Sequence, residues 1–441
     1  MENYKFSKYN IFKRKKEKTI GVNLFNKRLF AINNQDYEMI LNHKDCLTKL
    51  EENDTELFSA MVKLGVIEET GTNIPDILLL RNRSAIFSDR YYRLIILPTL
   101  NCNFSCWYCY ETHTKAMMSS DTMYNIIAYI KTLIEEKRIS SLHLDWFGGE
   151  PLLGYNKIIK PIAEEAKRMC EERNVTFWMT MTTNGFLLKE SMIPFFKAHH
   201  LKSFQITLDG NKEQHNVVRY SGKQKKGSYD TIINNIVMLA KNNIEVHLRI
   251  NYTIDTLDTI SALIPVFPPN VRHNIQLAFI QVWQDRKKNS VFDDMRLFEK
   301  EKEIYNSFEE AGFRVYRHKI SVGDSYSCYA DSMATAVINY DGKVFKCTTP
   351  DFENAQGDGI LTEKGIAWDE NRIAHRLARA TFDKKICLRC IYLPVCLGTC
   401  SSHKPPIPNK CDLKKYYKAE ISDLMKKFDK KNYKIAHLSQ L

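Results

Sequence analysis

The chain has 441 residues, 44% of them hydrophobic, room for roughly two to four domains with a sizeable core. Lysine and arginine number 64 against 52 acidic residues, a formal charge of +12 that is densest at Lys13–Lys18 and Lys414–Lys434; this favours an acidic partner, but no aromatic-basic RNA motif accompanies it and nucleic acid is not expected. The basic N-terminus lacks the apolar core of a signal peptide and no run reaches bilayer-spanning length, so the expectation is a cytoplasmic protein with no membrane partner.

The first predicted elements form a small N-terminal domain over residues 1–78. Lys18–Ile32 reads as a β-hairpin, Asp36–Asn42 and Thr55–Lys63 as helices, and Gly65 ends the second helix before extension resumes at Val66–Glu68. Such a mixture resembles a winged helix.

From residue 88 to 312 extended apolar runs alternate with helical patterns, the signature of βαβ units around a parallel sheet. The predicted strands are Tyr92–Leu100, Leu142–Phe147, Val175–Thr182, Ser203–Leu208, Glu245–Tyr252 and Ile275–Val282. Between them lie helices near Ser120–Lys137, Tyr155–Arg173, Lys189–Ala198, Ser228–Lys241 and Asp255–Ile264. The fold class is therefore α/β, with a partial (β/α)6 TIM-like barrel whose chemistry belongs at the strand C-terminal ends. After a helix near Met295–Ala311, residues 313–441 are poor in long periodic elements and rich in cysteine, so bound clusters would have to help them fold.

Twelve cysteines in a reducing compartment are poor disulfide candidates, and ten of them crowd into two regions, which points to metal or cluster ligands. Directly after the first strand, Cys102, Cys106 and Cys109 form a C-x3-C-x2-C loop. Three thiolates can hold three irons of a four-iron cluster and leave the fourth open to a chelating ligand. The competing reading is a zinc knuckle, which needs four ligands from paired motifs. Cys170 falls on the apolar face of its helix as a core residue, and Cys46 has no motif around it.

The loop spacing, with Tyr108 as the aromatic residue before the last cysteine, resembles the radical S-adenosylmethionine superfamily. That resemblance implies a reducing [4Fe-4S] cluster on Cys102, Cys106 and Cys109, with S-adenosylmethionine chelating its open iron and yielding a 5'-deoxyadenosyl radical. Gly148-Gly149-Glu150 after the second strand is similar to the family's GGE motif, which binds the methionine end of the cofactor. Thr183-Asn184-Gly185 and Thr207-Leu208-Asp209-Gly210 with His215 and Arg219 are similar to its TNG and S-x-D-G-x4-H-x3-R patterns, with Thr207 replacing the usual serine. The cofactor contacts so implied are Tyr108, Gly148, Gly149, Glu150, Asn184, Thr207 and Arg219. The plain alternative makes Asp209-Gly210 a turn and Arg219 a surface cation.

The second region reads C-x13-G-x4-C from Cys328 through Gly342 to Cys347, then C-x2-C-x5-C-x3-C at Cys387, Cys390, Cys396 and Cys400, then Cys411. This order resembles the SPASM pattern, against a zinc-ribbon alternative. It implies two auxiliary [4Fe-4S] clusters, one on Cys328, Cys347 and Cys400 and the other on Cys387, Cys390, Cys396 and Cys411, three clusters in all. Seven cysteines leave one of the eight ligand places empty, in the first auxiliary cluster.

The resemblance implies a maturase of a ribosomally made precursor peptide that crosslinks or oxidises it. The domain at residues 1–78 would grip the leader by strand addition, and a one-electron reductant such as flavodoxin or ferredoxin would be a second partner. An anaerobic sulfatase-maturating type of protein oxidase is the alternative within enzymes; Thr348 stands where that branch is expected to carry an aspartate base. An iron-sulfur electron carrier or redox sensor is the non-enzymatic alternative, and it has no use for the Gly149-Glu150 and later motifs.

Overall fold

A computed structural model describes residues 3–222, 226–286, 294–316, 328–398, 400, 411 and 413–438. Contacts divide the chain into two compact units, Ser88–Arg317 with Met333–Ala374, and Met1–Phe87 with His318–Ser332 and His375–Leu441.

In the first unit six parallel strands follow in chain order, Tyr91–Ile96, Ser141–Trp146, Thr176–Thr183, Leu201–Leu208, Glu245–Tyr252 and Ile275–Gln281, each paired with the next. They are the six strands of the expected partial barrel. In-register neighbours such as Leu94, Leu144 and Met179 share one face. Together with Phe204 and Leu248 they are buried under the helices Ser120–Glu135, Lys160–Glu172, Ile193–Ala198 and Tyr229–Lys241. Alternation sends Arg93, His143, Asp145, Thr180 and Arg249 to the opposite face, so the inner wall is polar. There Thr180 Oγ1 donates to Asp145 at 2.8 Å, and Asp145 also pairs with Arg93. The helix Ser120–Glu135 starts where Ser119 Oγ accepts the Thr122 N–H, and its Ile126, Ile130 and Leu133 recur at the spacing of one face.

Three helices depart from the sequence expectation, among them Lys189–Ala198, which opens as the 3₁₀ turn Glu190–Met192 before the α-helix Ile193–Ala198. The stretch beginning at Tyr155 opens as a π turn, Tyr155–Ile159, before the α-helix Lys160–Glu172, because Pro161 has no N–H to bond backwards. Ile254–Val266, expected as α, is a 3₁₀ helix that contains Pro265. The sheet also continues beyond the six strands. Thr335–Ile338 adds in parallel to Tyr91–Ile96 and is followed by antiparallel Lys343–Phe345, Gly359–Thr362 and Gly365–Trp368, while Arg314–Val315 adds at the other side.

In the second unit Asn10–Arg14, Lys18–Asn23, Arg28–Asn33 and Ile435–His437 form a four-stranded antiparallel sheet in which the C-terminal strand pairs with Arg28–Phe30. One apolar cluster joins Phe30 with the helices Asn34–His43, Leu47–Asn53 and Thr55–Leu64. Another joins Ile20, Val22 and Leu29 with Leu393, Val395, Leu397, Met425 and Phe428. Gly65 takes φ +78 at the end of Thr55–Leu64, a left-handed cap that a residue with a Cβ adopts only at a cost. Among the described residues no helix is long and apolar enough to cross a membrane.

Trp146 is fully buried in the barrel core, and its indole N–H meets Met179 Sδ at 3.4 Å. Trp146→Ala is expected to destabilise the barrel by about 3–5 kcal/mol, read as a lowered urea midpoint by circular dichroism; an unchanged midpoint would refute this account of the core.

Candidate active site

The three-cysteine loop leaves the first strand through Leu97–Leu100, all buried. Asn101 N–H donates to Thr99 Oγ1 at 2.9 Å, Phe104 N–H to Cys102 Sγ at 3.5 Å, and Cys109 N–H to the Cys106 carbonyl at 3.0 Å. Phe104 anchors the loop by burial edge-on against Phe186. Burial pushes the Cys102 thiol up to about 12, and the nearby Cys106 and Cys109 push it in the same direction. Cys106 and Cys109 are raised by burial as well. Thiols in such a place become thiolates only with a bound cation to compensate them.

The end of the second strand lies against this loop. Gly148 has φ +111, and a Cβ there would stand 2.5 Å from the Thr99 carbonyl oxygen; at Gly149 it would stand 2.4 Å from the Leu100 and Asn101 oxygens. Only glycine permits that approach. Glu150, fully buried, donates its N–H to the Asn101 carbonyl at 2.8 Å. Its carboxylate accepts from Leu152 N–H at 3.0 Å, Thr183 Oγ1 at 2.7 Å and Asn184 N–H at 2.8 Å. Burial raises its pKa while these three donors act against the rise. A carboxylate offers about four lone-pair directions, so one acceptor position is left beyond these three.

Asn184 faces the cysteines. Its Nδ2 donates to Asn103 Oδ1 at 2.7 Å and lies 3.9 Å from Cys102 Sγ, while its Oδ1 accepts the Phe186 N–H at 2.9 Å. At the fourth strand the motif residues form a buried hub around Asp209. Tyr108 Oη donates to Asp209 at 2.7 Å, and Arg219 Nε donates to Asp209 at 2.6 Å and to Tyr108 Oη at 3.2 Å. Burial works against the Arg219 charge, but Tyr108 and Asp209 reverse that and hold its pKa well above the ordinary value. Arg219 is thus a buried, paired cation rather than a surface one. Thr207 is buried and sits in register beside Arg249, whose pKa burial lowers.

His215 is a scaffold for this hub. Asp209 N–H donates to its Nδ1 at 3.3 Å, and its Nε2 lies 3.0 Å from Ser228 Oγ, which itself donates to the Arg219 carbonyl. The Nε2–H tautomer satisfies all three bonds. Several neighbours were not legible as site residues. Gln284 Nε2 donates to the Tyr108 carbonyl at 3.0 Å, Tyr110 Oη to the Thr348 carbonyl at 2.7 Å, and Thr112 Oγ1 to Asp351 at 2.8 Å. Burial raises Glu111 to about 7. Only Arg249 had a readable signal, its inward place in the two-residue period of its strand.

In the other unit Cys387 and Cys396 lie on the short helices Lys385–Leu388 and Leu393–Cys396, Cys390 falls between these helices, and Cys411 is near enough to act on the Cys387 and Cys396 thiols. Burial lifts Cys396 to about 11 and raises Cys387, and Cys411 adds to both shifts. Cys328 and Cys400 belong to this unit, while Cys347, whose Sγ lies 3.2 Å from Thr349 Oγ1, belongs to the barrel unit. Among the described residues no three potential ligands converge to single-ion spacing. The fit of the first loop to a cluster and S-adenosylmethionine rests instead on its three gathered thiols, the cradle at Gly148-Gly149 that a Cβ would fill, and the buried Nδ2 of Asn103, which has no protein partner.

Residues 96–263 match the family model of the Radical SAM superfamily. The cysteine-type anaerobic sulfatase-maturating enzyme of Clostridium novyi (strain NT) is 23% identical over 359 residues, 72% of this chain and 90% of that protein. The solved structure of anSMEcpe with bound AdoMet superposes with a TM-score of 0.58 at 15% identity, covering 76% of this chain and 99% of that one. Streptococcus suis SuiB bound to precursor peptide SuiA gives 0.52 at 15% identity, covering 90% and 95%. The two structures establish the shared fold, and residues 96–263 are similar to the Radical SAM superfamily.

Burial, then the Arg219 charge, lowers His215 from 6.5 to about 3; burial lowers His143 to about 4. Both rings stay neutral in the folded chain while the unfolded chain takes up protons, so their contribution is complete above about pH 6.5 and declines as pH falls towards those lowered values. Unfolding free energy is expected to fall by up to about 1.4 kcal/mol per pH unit for each histidine. His215→Gln should remove one of the two contributions, read from urea titrations between about pH 7 and pH 5; an unaltered slope would contradict the scaffold role.

Proposed function

We propose that this chain, whose residues 96–263 match the family model of the Radical SAM superfamily, is a maturase that modifies a ribosomally made precursor peptide, by a crosslink or an oxidation. The observation that carries the proposal is the meeting of four strand-end features on one loop: the Cys102, Cys106 and Cys109 thiols, the Gly148-Gly149 cradle, Glu150, and the Asn184 amide. In this proposal Cys102, Cys106 and Cys109 hold the reducing cluster. Gly148, Gly149 and Glu150 receive the methionine end of S-adenosylmethionine, the last acceptor position of Glu150 taking its ammonium. Thr207 serves the cofactor directly, while Arg219, Tyr108 and Asn184 act through their mutual bonds and those to Asp209 and Cys102. Bound there, the cluster and S-adenosylmethionine would supply a 5'-deoxyadenosyl radical that abstracts a hydrogen atom from the peptide.

Auxiliary [4Fe-4S] clusters are proposed on Cys387, Cys390, Cys396 and Cys411, and on Cys328, Cys347 and Cys400, fed by a one-electron reductant such as flavodoxin or ferredoxin in the cytoplasm. The leader would add as a strand to Asn10–Arg14, the five-residue edge of a sheet whose other edge is the three-residue Ile435–His437. Main-chain bonds would dominate that contact, because much of the basic run is already engaged: Arg14 with Glu38, Lys15 and Lys18 with Asp429, and Lys13 with Ser422.

A second reading, a sulfatase-maturating type of oxidase, is favoured by the 23% identity that spans 90% of the Clostridium novyi protein. Against it, Thr348 stands where an aspartate is expected, and the nearby Asp351 is tied to Thr112 and Asn354.

The test is anaerobic coexpression with the short peptide encoded beside the gene, comparing wild type with Cys102→Ala by intact mass and by 5'-deoxyadenosine release. A mass change and deoxyadenosine with wild type alone are expected. Deoxyadenosine without any change in that peptide would discard the precursor assignment, and a mass change in a sulfatase peptide instead would establish the second reading.

A further inference from the structure

We infer that the side-chain amide of Asn103 donates a hydrogen bond to a sulfur of the cluster held by Cys102, Cys106 and Cys109, and that Asn103 is a positioning residue that sets how easily this cluster is reduced. The inference rests on the cluster assignment proposed above.

A chain of bonds fixes which way the Asn103 amide faces. Phe186 N–H donates to Asn184 Oδ1 at 2.9 Å, and this oxygen cannot be exchanged with its nitrogen without setting two donors against each other. Asn184 Nδ2 must therefore be the donor to Asn103 Oδ1, at 2.7 Å. With its oxygen so committed, Asn103 points its NH2 group the other way, where Nδ2 is buried and meets no acceptor in the protein. Buried side-chain donors are seldom left unpaired in folded chains, so the position calls for an acceptor from outside the chain.

The surroundings indicate a sulfur. Asn103 follows Cys102 directly, and the Asn184 Nδ2 that holds it lies 3.9 Å from Cys102 Sγ. Phe104 N–H already donates to the same sulfur at 3.5 Å. Asn103 Nδ2 would add a further N–H to this group of donors. Donors to cluster sulfur favour the reduced, more negative state and raise its potential. Asn184 reaches the cluster both by its own N–H and by orienting Asn103, while Glu150 fixes Asn184 through its backbone N–H.

The test is EPR-monitored redox titration of the full-length reconstituted protein, following the reduced-cluster signal that changes when S-adenosylmethionine is added, with iron content and S-adenosylmethionine affinity measured alongside. Asn103→Ala is expected to lower the midpoint potential with iron content and affinity unchanged, and Asn184→Ala to lower it as well. Asn103→Asp keeps the volume, removes the donor and adds negative charge, so it should lower the potential further. It also covers the case in which the alanine variant loads poorly. An unchanged or raised midpoint in Asn103→Asp overturns the inference. Weakened S-adenosylmethionine affinity at unchanged potential also overturns it, assigning the amide to the cofactor. A responsive signal that survives in Cys102→Ala would show instead that the underlying cluster assignment is wrong.

Discussion

The carboxylate of Glu150 is the constraint on which the geometry of the strand ends depends. It is fully buried, yet it gathers donors from its own turn at Leu152 and from Thr183 and Asn184 at the end of the third strand, while the N–H of Glu150 holds the Asn101 carbonyl at the entrance to the cysteine loop. Removing that carboxylate would leave three donors unpaired in the interior at once, each at a cost of about 1–3 kcal/mol. The glycines before it are required by the same contact, since the loop backbone passes where their Cβ atoms would be. Packing therefore places the cysteines, and Glu150 keeps them there.

The electrostatics of the site follow from a second buried group. Three thiols in one loop would, once ionised, be a concentration of negative charge that burial makes costly. The Arg219 charge lowers the Cys106 pKa against the effect of burial, and Tyr108, one residue before Cys109, ties that arginine to Asp209. Arg219 therefore serves two anionic neighbours and depends on both to keep its charge. His215, neutral and bonded on both ring nitrogens, holds the turn that presents Asp209. The spacing of Asp209, His215 and Arg219 is in this sense a folding requirement of the hub as much as a binding motif.

Local pattern carried most of the barrel. The extended apolar runs that predicted the strands are the runs that pair in the sheet, where Leu94 and Leu144 face one side and Arg93 and Asp145 the other, and the cysteine spacing marked the loop without reference to anything distant. What stayed hidden was pairing between parts of the chain far apart in sequence. Thr335–Ile338 is four residues long and too short to announce itself as a neighbour of Tyr91–Ile96. The role of Asn103 depends on Asn184, which lies on another loop, and neither residue signals the other. Ile74–Ile86 was missed because only Ile74, Leu78, Asn82 and Ile86 are buried, and the polar Asn82 breaks the apolar stripe.

The same non-local pairing governs how the N-terminal sheet has to be understood. Ile435–His437 forms its edge, and the residues that fill its core include Leu393, Val395 and Leu397, which flank Cys396. The first 78 residues therefore lack a complete core of their own, and removing them would expose the apolar side of the helices that carry Cys387 and Cys396. A strand added at Asn10–Arg14 would extend the very sheet on which those helices rest. The Asn10–Arg14 edge and the cysteine-bearing helices are then parts of one folded body, so a substitution in its shared core, such as at Val22 or Phe428, bears on both at once.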